Sequence, residues 1–138
     1  MPQLLKRNIF QRIFGICATK LPRNDTCWSY GDDKITIDLE TASELAEKSG
    51  GLRLEGGNLP VRVMVVHGED GQFHAVRNKC EHAGRRLDPV PGEHQVQCCS
   101  IGKSTYAYDG TITAGSPKGP LTVYPVERDG SKLIIKLK

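Results

Sequence analysis

Hydrophobic and polar residues alternate over many short stretches of this chain, with a period of two. In residues 34–39, for example, Ile35, Ile37 and Leu39 fall on one face. Similar or strongly β-branched stretches predict further strands at residues 61–67, 72–77, 94–98, 104–108, 111–114, 121–126 and 132–137. Turn residues separate these stretches at intervals of ~8 to 12 residues, which is typical of an antiparallel sandwich or barrel. The pattern therefore predicts an all-β domain.

The N-terminal segment has a helical pattern instead. Within residues 4–16, apolar side chains recur at helical spacing, at Leu5, Ile9, Ile13 and Ile16. They predict an amphipathic N-terminal helix with a basic opposite face. We expect this helix to pack on the domain or a partner, or alternatively to contact a membrane surface. A secretory signal is disfavoured because Arg12 interrupts the apolar stretch.

A second helix, short and further along the chain, is predicted from residue 41 to about residue 48. Thr41 and Glu44 have the spacing of a capping box, and Gly50-Gly51 would end the helix. Residues 21–31 are rich in turn formers and predict a linker. The chain is therefore expected to have two parts, a basic extension at residues 1–33 and an all-β domain at residues 34–138.

The composition is that of a globular protein, but its charge is unevenly distributed. The 138 residues are 38% hydrophobic with a net charge of +3, which excludes a disordered chain, and no apolar run is long enough to span a membrane. Residues 1–25 hold five basic side chains and one acidic one, so the remainder is slightly acidic and is not expected to bind nucleic acid. The five cysteines favour metal binding or redox chemistry, and we expect a cytoplasmic location.

Two predicted loops contain the side chains best suited to hold a metal. The first motif segment is Cys80-Glu81-His82-Ala83-Gly84, and the second is Cys98-Cys99-Ser100-Ile101-Gly102. A [2Fe–2S] centre needs four protein ligands, and in one class two thiolates hold one iron while two imidazoles hold the other. Two loops that each supply one cysteine and one histidine meet that requirement.

The first motif segment resembles the C-x-H-x-G motif of the Rieske [2Fe–2S] ferredoxin-like family. The second lies at the family's spacing, and the frame of residues 34–138 is also similar, with a hairpin before the first loop and a Gly/Pro loop at residues 115–120. The resemblance implies a Rieske-like antiparallel sandwich or barrel with a cluster-binding loop pair. It also implies a [2Fe–2S] cofactor, one-electron transfer and a redox partner protein, as in an electron-transfer component rather than a stand-alone enzyme.

The second motif segment departs from the family's C-x-x-H motif because it contains no histidine. If Cys98 is aligned with the family's cysteine, Ile101 stands in place of the histidine. If Cys99 is aligned instead, Gly102 stands there. Neither residue can bind iron, so the usual two-histidine site cannot form as the family builds it.

Three outcomes remain open at this point. In the first, Cys80, His82, Cys98 and Cys99 hold an altered cluster with three thiolates and one imidazole. In the second, the fourth ligand comes from elsewhere, and His94 is the nearest candidate by sequence. In the third, the domain has the fold without the cluster and is an interaction or regulatory subunit of a larger redox enzyme. A zinc site ranks lower because the spacing is unusual for zinc.

Four further residues have more than one interpretation. Arg85 and Arg86 beside the first motif segment would attract an acidic partner, raise the reduction potential, or form a solvated loop tip. Cys17 and Cys27 are interpreted as small hydrophobic residues, with a disulfide or a further metal site as the alternatives.

Overall fold

The chain forms twelve short β-strands and one 3-10 turn over the residues that the computed structural model describes. These residues are 19, 21–24, 26–48, 50–56, 58–79, 86–90, 92–98, 104–115 and 119–137. The strands are β1 (Trp28–Gly31), β2 (Lys34–Asp38), β3 (Gly51–Leu54), β4 (Val63–His67), β5 (Phe73–Arg77), β6 (Leu87–Pro89), β7 (Gln95–Cys98), β8 (Thr105–Ala107), β9 (Ile112–Ala114), β10 (Val123–Tyr124), β11 (Val126–Asp129) and β12 (Lys132–Lys136). All their pairings are antiparallel, so the predicted all-β class is confirmed.

The strands are arranged in three four-stranded sheets. Sheet A has the order β1-β2-β12-β11, sheet B has β10-β5-β4-β3, and sheet C has β6-β7-β8-β9. Sheet B contributes to two hydrophobic cores, one shared with sheet A and the other with sheet C. Because successive side chains of a strand point to opposite faces, β4 contributes Val63 and Val65 to the first core and Met64 and Val66 to the second. This two-sided burial explains why β4 is apolar at every one of these positions.

Three strands lie where the sequence pattern predicted none. Strand β1 occupies the second half of the predicted linker and pairs with β2, with Trp28 opposite Ile37. Strand β3 follows Gly50, and β6 lies within the stretch that was predicted to be a long polar loop. These strands are only three or four residues long, which is too short for an alternating pattern to be recognised, so their pairing partners rather than their own sequences determine them. The boundary between residues 33 and 34 stays a prediction.

Two other elements differ from the sequence prediction. The expected strand 121–126 is interrupted at Pro125, which lacks an N–H group, and β10 and β11 pair with different sheets on its two sides. The expected helix 41–48 is only a 3-10 turn, Ser43–Leu45. Its capping box is wrong, because the Thr41 hydroxyl donates to the carbonyl of Asp38 at 3.3 Å instead of capping a helix.

The predicted N-terminal helix and Cys17 lie outside the described residues. Cys27 is described, and it is buried in the first core, which agrees with its interpretation as a small hydrophobic residue. Within the described part of the chain, no helix has the length and hydrophobicity to cross a membrane.

Candidate metal centre

The residues that flank the two motif segments lie next to each other in the structure. Leu87, the first residue of β6, pairs with Cys98, the last residue of β7. The side-chain Oδ1 of Asn78 accepts a hydrogen bond from the backbone N–H of Leu87 at 2.7 Å. On the other side, the backbone N–H of Cys98 donates to the carbonyl of Ser104 at 2.7 Å. The chain therefore enters and leaves both motif segments at one end of sheet C.

Gly115, at the start of the Gly/Pro segment 115–120, joins the same arrangement. Its φ is +84°, and a Cβ atom placed on it would lie 2.7 Å from the Cα of Ser104. Only glycine allows both this backbone conformation and this close approach at low cost. We call Asn78, Leu87, Cys98, Ser104 and Gly115 the flanking row.

Of the four predicted ligands, the structure describes Cys98. Cys80, His82 and Cys99 lie outside the described residues, as does Arg85. The Cys98 side chain is 1% exposed and packs in the second core, on the same face as Val96 and Leu87. The residues that the structure describes contain no group of three His, Cys, Asp or Glu side chains placed to hold a metal ion.

The other three histidines of the chain lie away from the flanking row. His67 ends β4 and its Nδ1 lies 2.8 Å from the carbonyl oxygen of Leu45, while His74 is bonded to Asp70 at 2.9 Å. Both belong to the turn end of the β4–β5 hairpin, and the first motif segment follows the other end.

His94 lies at the wrong end of β7 to be the fourth ligand. It directly precedes β7, whereas Cys98 ends that strand, and four residues of extended chain span about 13 Å. Its ring stacks against Tyr108 with centroids 5.8 Å apart. Tyr108 in turn stacks on His74, at the hairpin turn. This placement argues against the alternative in which His94 completes the site.

The donor chemistry therefore fits one form of cluster and not another. A site with two imidazoles does not fit a single chain, because His82 is the one histidine left for the motif segments. A set of three thiolates and one imidazole has the required number of ligands, and both donor types bind iron. Leu87, which follows the first motif segment, and Cys98, which begins the second, lie on adjacent strands.

An ion pair holds Arg86, which lies two residues after the first motif segment. Both carboxylate oxygens of Glu55 accept hydrogen bonds from the guanidinium of Arg86, the second one from Nη2 at 3.0 Å. Nη1 of Arg53 lies 3.3 Å from each of the same oxygens. The hydrogen bond from Arg86 is the largest influence on the carboxyl group, and it lowers the pKa of Glu55 below its ordinary 4.5. Arg86 is thus bound to β3's end and is not a solvated loop tip.

A buried carboxylate ties the N-terminal segment to sheet C beside the flanking row. Asp88 is 1% exposed, and its Oδ1 accepts hydrogen bonds from the backbone N–H and the hydroxyl of Thr19, at 2.7 and 2.6 Å. Neither Asp88 nor Glu55 was expected from the sequence. The signal that could have found Asp88 is a carboxylate between the apolar Leu87 and Pro89, because a charged side chain in a buried strand needs partners.

Asn78 has an unsatisfied donor next to the first motif segment. The residue is fully buried, and its Oδ1 is engaged by Leu87, which fixes the orientation of the amide. Within the described residues its Nδ2 has no hydrogen-bond partner. A buried amide donor ordinarily finds an acceptor. Two residues before Cys80, the amide of Asn78 thus has an N–H donor for which the described residues provide no acceptor.

The chain matches the Rieske [2Fe–2S] domain family over residues 37–125. This range starts in β2, ends after β10 and includes both motif segments. The protein therefore belongs to the Rieske [2Fe–2S] domain family, and the resemblance stated from its sequence is confirmed.

Its similar curated proteins are much longer than this chain. The glycine betaine monooxygenase oxygenase subunits of Pseudomonas aeruginosa strains UCBPP-PA14 and PAO1 are each 36% identical to it over 78 residues. The matched region covers 55% of this chain and 18% of each relative, so the match spans less than a fifth of their length.

Solved structures of similar fold include small Rieske proteins. The ferredoxin of carbazole 1,9a-dioxygenase from Nocardioides aromaticivorans IC177 has a TM-score of 0.60 and 22% identity, over 75% of this chain and 98% of the ferredoxin. A chain from the complex of reduced oxygenase and oxidised ferredoxin of carbazole 1,9a-dioxygenase has a TM-score of 0.62 and 14% identity, over 78% and 96%. The cyanobacterial plasma membrane Rieske protein of Synechocystis PCC 6803 has a TM-score of 0.52 and 27% identity, over 63% and 86%.

These matches agree with the expected class, a Rieske-type electron-transfer component of a redox system. At these low identities, the similarity to the solved structures supports the fold. Membership of the family supports the class of protein. Because a plasma membrane protein is among the similar structures, the expected cytoplasmic location stays a prediction. Contact of the N-terminal helix with a membrane also stays a prediction, since that helix lies outside the described residues.

Proposed function

We propose that this chain is a one-electron carrier, or an electron-transfer subunit, whose [2Fe–2S] cluster is held by Cys80, His82, Cys98 and Cys99. The observation that carries the proposal is the antiparallel pairing of Leu87 with Cys98. A cluster whose ligands come from two segments needs those segments to be adjacent, and this pairing brings their flanks onto neighbouring strands.

The ligand set predicts a low reduction potential. When bound, the cluster supplies reversible one-electron chemistry. A third thiolate in place of an imidazole adds negative charge and favours the oxidised state. The reduction potentials of two-histidine sites range upward from about −150 mV, and we expect a lower value here. Basic side chains beside the flanking row, such as Arg86, raise the potential. Their effect is smaller than that of a thiolate bound directly to iron.

The chain's own residues hold and shield this site rather than catalyse a reaction. Burial of Cys98 in the second core keeps water from its sulfur. Asn78 fixes the start of the following strand, and Glu55 fixes Arg86. No acid, base or nucleophile is required of the protein, because only an electron moves. The proposed partner is a redox protein, either a reductase or an oxygenase of the kind that the similar proteins include.

Metal analysis of the anaerobically purified protein tests the proposal. Iron and acid-labile sulfide are expected in the ratio of a [2Fe–2S] cluster, with visible absorption bands. The variants His82→Ala and Cys99→Ser should lose or alter this spectrum. His94→Ala is the matched control, and it should retain wild-type iron and sulfide because His94 lies at the far end of β7.

Cys98 needs a separate control because it is buried. A hydroxyl in the core could destabilise Cys98→Ser without any effect on a cluster. Cys27→Ser makes the same change in the first core, away from the flanking row. If Cys98 is a ligand, Cys98→Ser loses the iron spectrum while Cys27→Ser retains it at a comparable loss of stability. Equal iron content in both variants would show that Cys98 is only a core residue.

A second candidate is a cluster-free Rieske-fold subunit with an interaction or regulatory function. Two observations favour it: Cys98 already packs as an apolar core residue, and a single histidine remains for the site. Anaerobic reconstitution with iron and sulfide separates the candidates. A folded protein that stays colourless and free of iron would replace the carrier proposal with this one.

A further inference from the structure

The geometry points to the flanking-row end of the domain as a docking surface for an acidic face of a redox partner protein. This inference deepens the proposed function, because it assigns the partner's chemistry to the end where the cluster would lie. It depends on four basic side chains gathered there, which we call the basic collar: Arg53, Arg62, Lys79 and Arg86.

Backbone contacts place the collar around the flanking row. The carbonyl of Arg62 accepts a hydrogen bond from the N–H of Asn78 at 2.8 Å. The exposed Lys79 directly follows Asn78. The collar thus borders the point where the chain enters the first motif segment.

The remaining two collar residues border the point where the chain leaves that segment. Arg86 precedes Leu87, and Arg53 lies beside it across the carboxylate of Glu55. The first motif segment is therefore bordered by cations on both sides.

Among the described residues, two carboxylates border the collar, namely Glu55 and Asp88. Glu55 is bound by two guanidinium groups, so one positive charge is left over in that cluster. Asp88 is 1% exposed and accepts two hydrogen bonds from Thr19, so it is directed to the interior. The field that leaves this end of the domain is positive.

Residues 26–138 as a whole are slightly acidic, so the basic collar is not a consequence of a generally basic domain.

The opposite end of the β4–β5 hairpin is acidic. Glu69 and Asp70 lie in its turn, and Glu69 accepts a hydrogen bond from the N–H of Gly92, next to Glu93. Arg128 lies over the Phe73 ring at the same end and is outnumbered by Glu69, Asp70 and Glu93. We therefore expect an acidic partner to be attracted more strongly to the flanking row than to the hairpin turn.

Two charge reversals with the same net charge test the surface. Lys79→Glu changes the collar. Lys132→Glu changes an exposed lysine whose Nζ lies 4.0 Å from a carboxylate oxygen of Asp38. Lys132 is opposite Asp129, and the neighbouring Arg128 lies over the Phe73 ring at the other end of β5. Binding of a poly-L-glutamate peptide to the full chain is measured by calorimetry at about 0.01 M and about 0.1 M salt, where the Debye length is about 30 and about 10 Å. The basic N-terminal segment is the same in both variants.

Lys79→Glu is expected to weaken binding by roughly five- to tenfold at low salt, and Lys132→Glu by less than about twofold. Equal weakening by the two lysine variants would overturn the proposal, since it would leave net charge as the cause. Duplex DNA and phosphatidylserine vesicles are tested in the same way. If either binds more tightly than the peptide and this binding is lost in Lys79→Glu, the collar is assigned to that other partner and the proposal is overturned.

A second measurement distinguishes failure of this proposal from failure of the proposed function. The reduced, iron-loaded protein gives one electron to ferricyanide, an anion, or to hexaammineruthenium(III), a cation. The ferricyanide rate should fall as salt rises and should decrease in Lys79→Glu, whereas the ruthenium rate should change in the opposite sense. The reverse salt dependence would overturn the docking surface while leaving the carrier function intact. Absence of iron would overturn the carrier function, and the peptide experiment would still decide the surface.

Discussion

The side-chain oxygen of Asn78 is bonded to the backbone N–H of Leu87 at 2.7 Å, and Leu87 pairs with Cys98. This relationship links the residues before and after the first motif segment and sets both beside the second. Both Asn78 and Leu87 are fully buried, so water cannot replace the bond. The geometry of the proposed site therefore depends on one amide side chain.

Asn78→Ala should lower the free energy of unfolding by about 1–2 kcal/mol, because it leaves the buried N–H of Leu87 without an acceptor. Removal of the unsatisfied Nδ2 offsets part of the cost. Urea unfolding gives the stability, and hydrogen exchange should show faster exchange at the Leu87 amide. Asn58→Ala, at an exposed position, is the control. Equal protection of Leu87 in both variants would contradict the role given to Asn78.

The ion pair of Glu55 and Arg86 should make stability depend on pH. Arg86 lowers the pKa of Glu55 below 4.5, so the ionised carboxylate favours the folded state. This stabilisation is fully present above about pH 4.5 and is lost as the pH falls through the lowered folded-state pKa. Glu55→Gln is expected to cost about 1 kcal/mol at neutral pH, and the difference from wild type should shrink at acidic pH.

Unfolding curves of wild type and Glu55→Gln across acidic and neutral pH measure this effect. Glu127→Gln removes an exposed ion pair with Lys136 and should have a smaller effect at every pH. A double-mutant cycle with Arg86→Gln should show a coupling energy between Glu55 and Arg86. Additive effects of the two substitutions would mean that the pair contributes nothing to stability.

The bond between Thr19 and Asp88 should hold the N-terminal segment against sheet C. Thr19→Val removes the hydroxyl donor to a buried carboxylate and keeps a similar shape, so we expect a loss of roughly 1–2 kcal/mol. Limited trypsin digestion should show faster cleavage after Arg23, since local opening exposes that segment. Thr113→Val, on the exposed strand β9, is the control. An unchanged cleavage rate in Thr19→Val would exclude this anchoring role.

Gly115 should tolerate no side chain, in contrast to the nearby Gly119. Gly115→Ala places a Cβ 2.7 Å from the Cα of Ser104 at a φ of +84°, so we expect a loss of at least about 1–2 kcal/mol. Gly119 has open space around it, and Gly119→Ala should stay within about 0.5 kcal/mol of wild type. Thermal unfolding of the two variants provides the comparison. Similar midpoints would show that the backbone at Ser104 moves away at little cost.

The sequence by itself determined the class of the protein and the candidate ligands. The alternation in residues 34–39 and the β-branched run before His67 are local patterns. They predicted β2 and β4 correctly because a strand's period of two can be recognised from neighbouring residues alone. The motif segments could be recognised for the same reason, since their cysteine and histidine spacing is local. The missing second histidine could be seen in the sequence as well.

The tertiary structure decided what depends on residues far apart in the chain. It placed His94 at the end of β7 remote from Cys98, although only four residues separate them, because an extended strand keeps its ends apart. It also paired Leu87 with Cys98 and bound Arg86 to Glu55. Strand pairing and ion pairs between distant residues leave no periodic signal in a sequence, so neither the flanking row nor the basic collar could be found before the chain was folded.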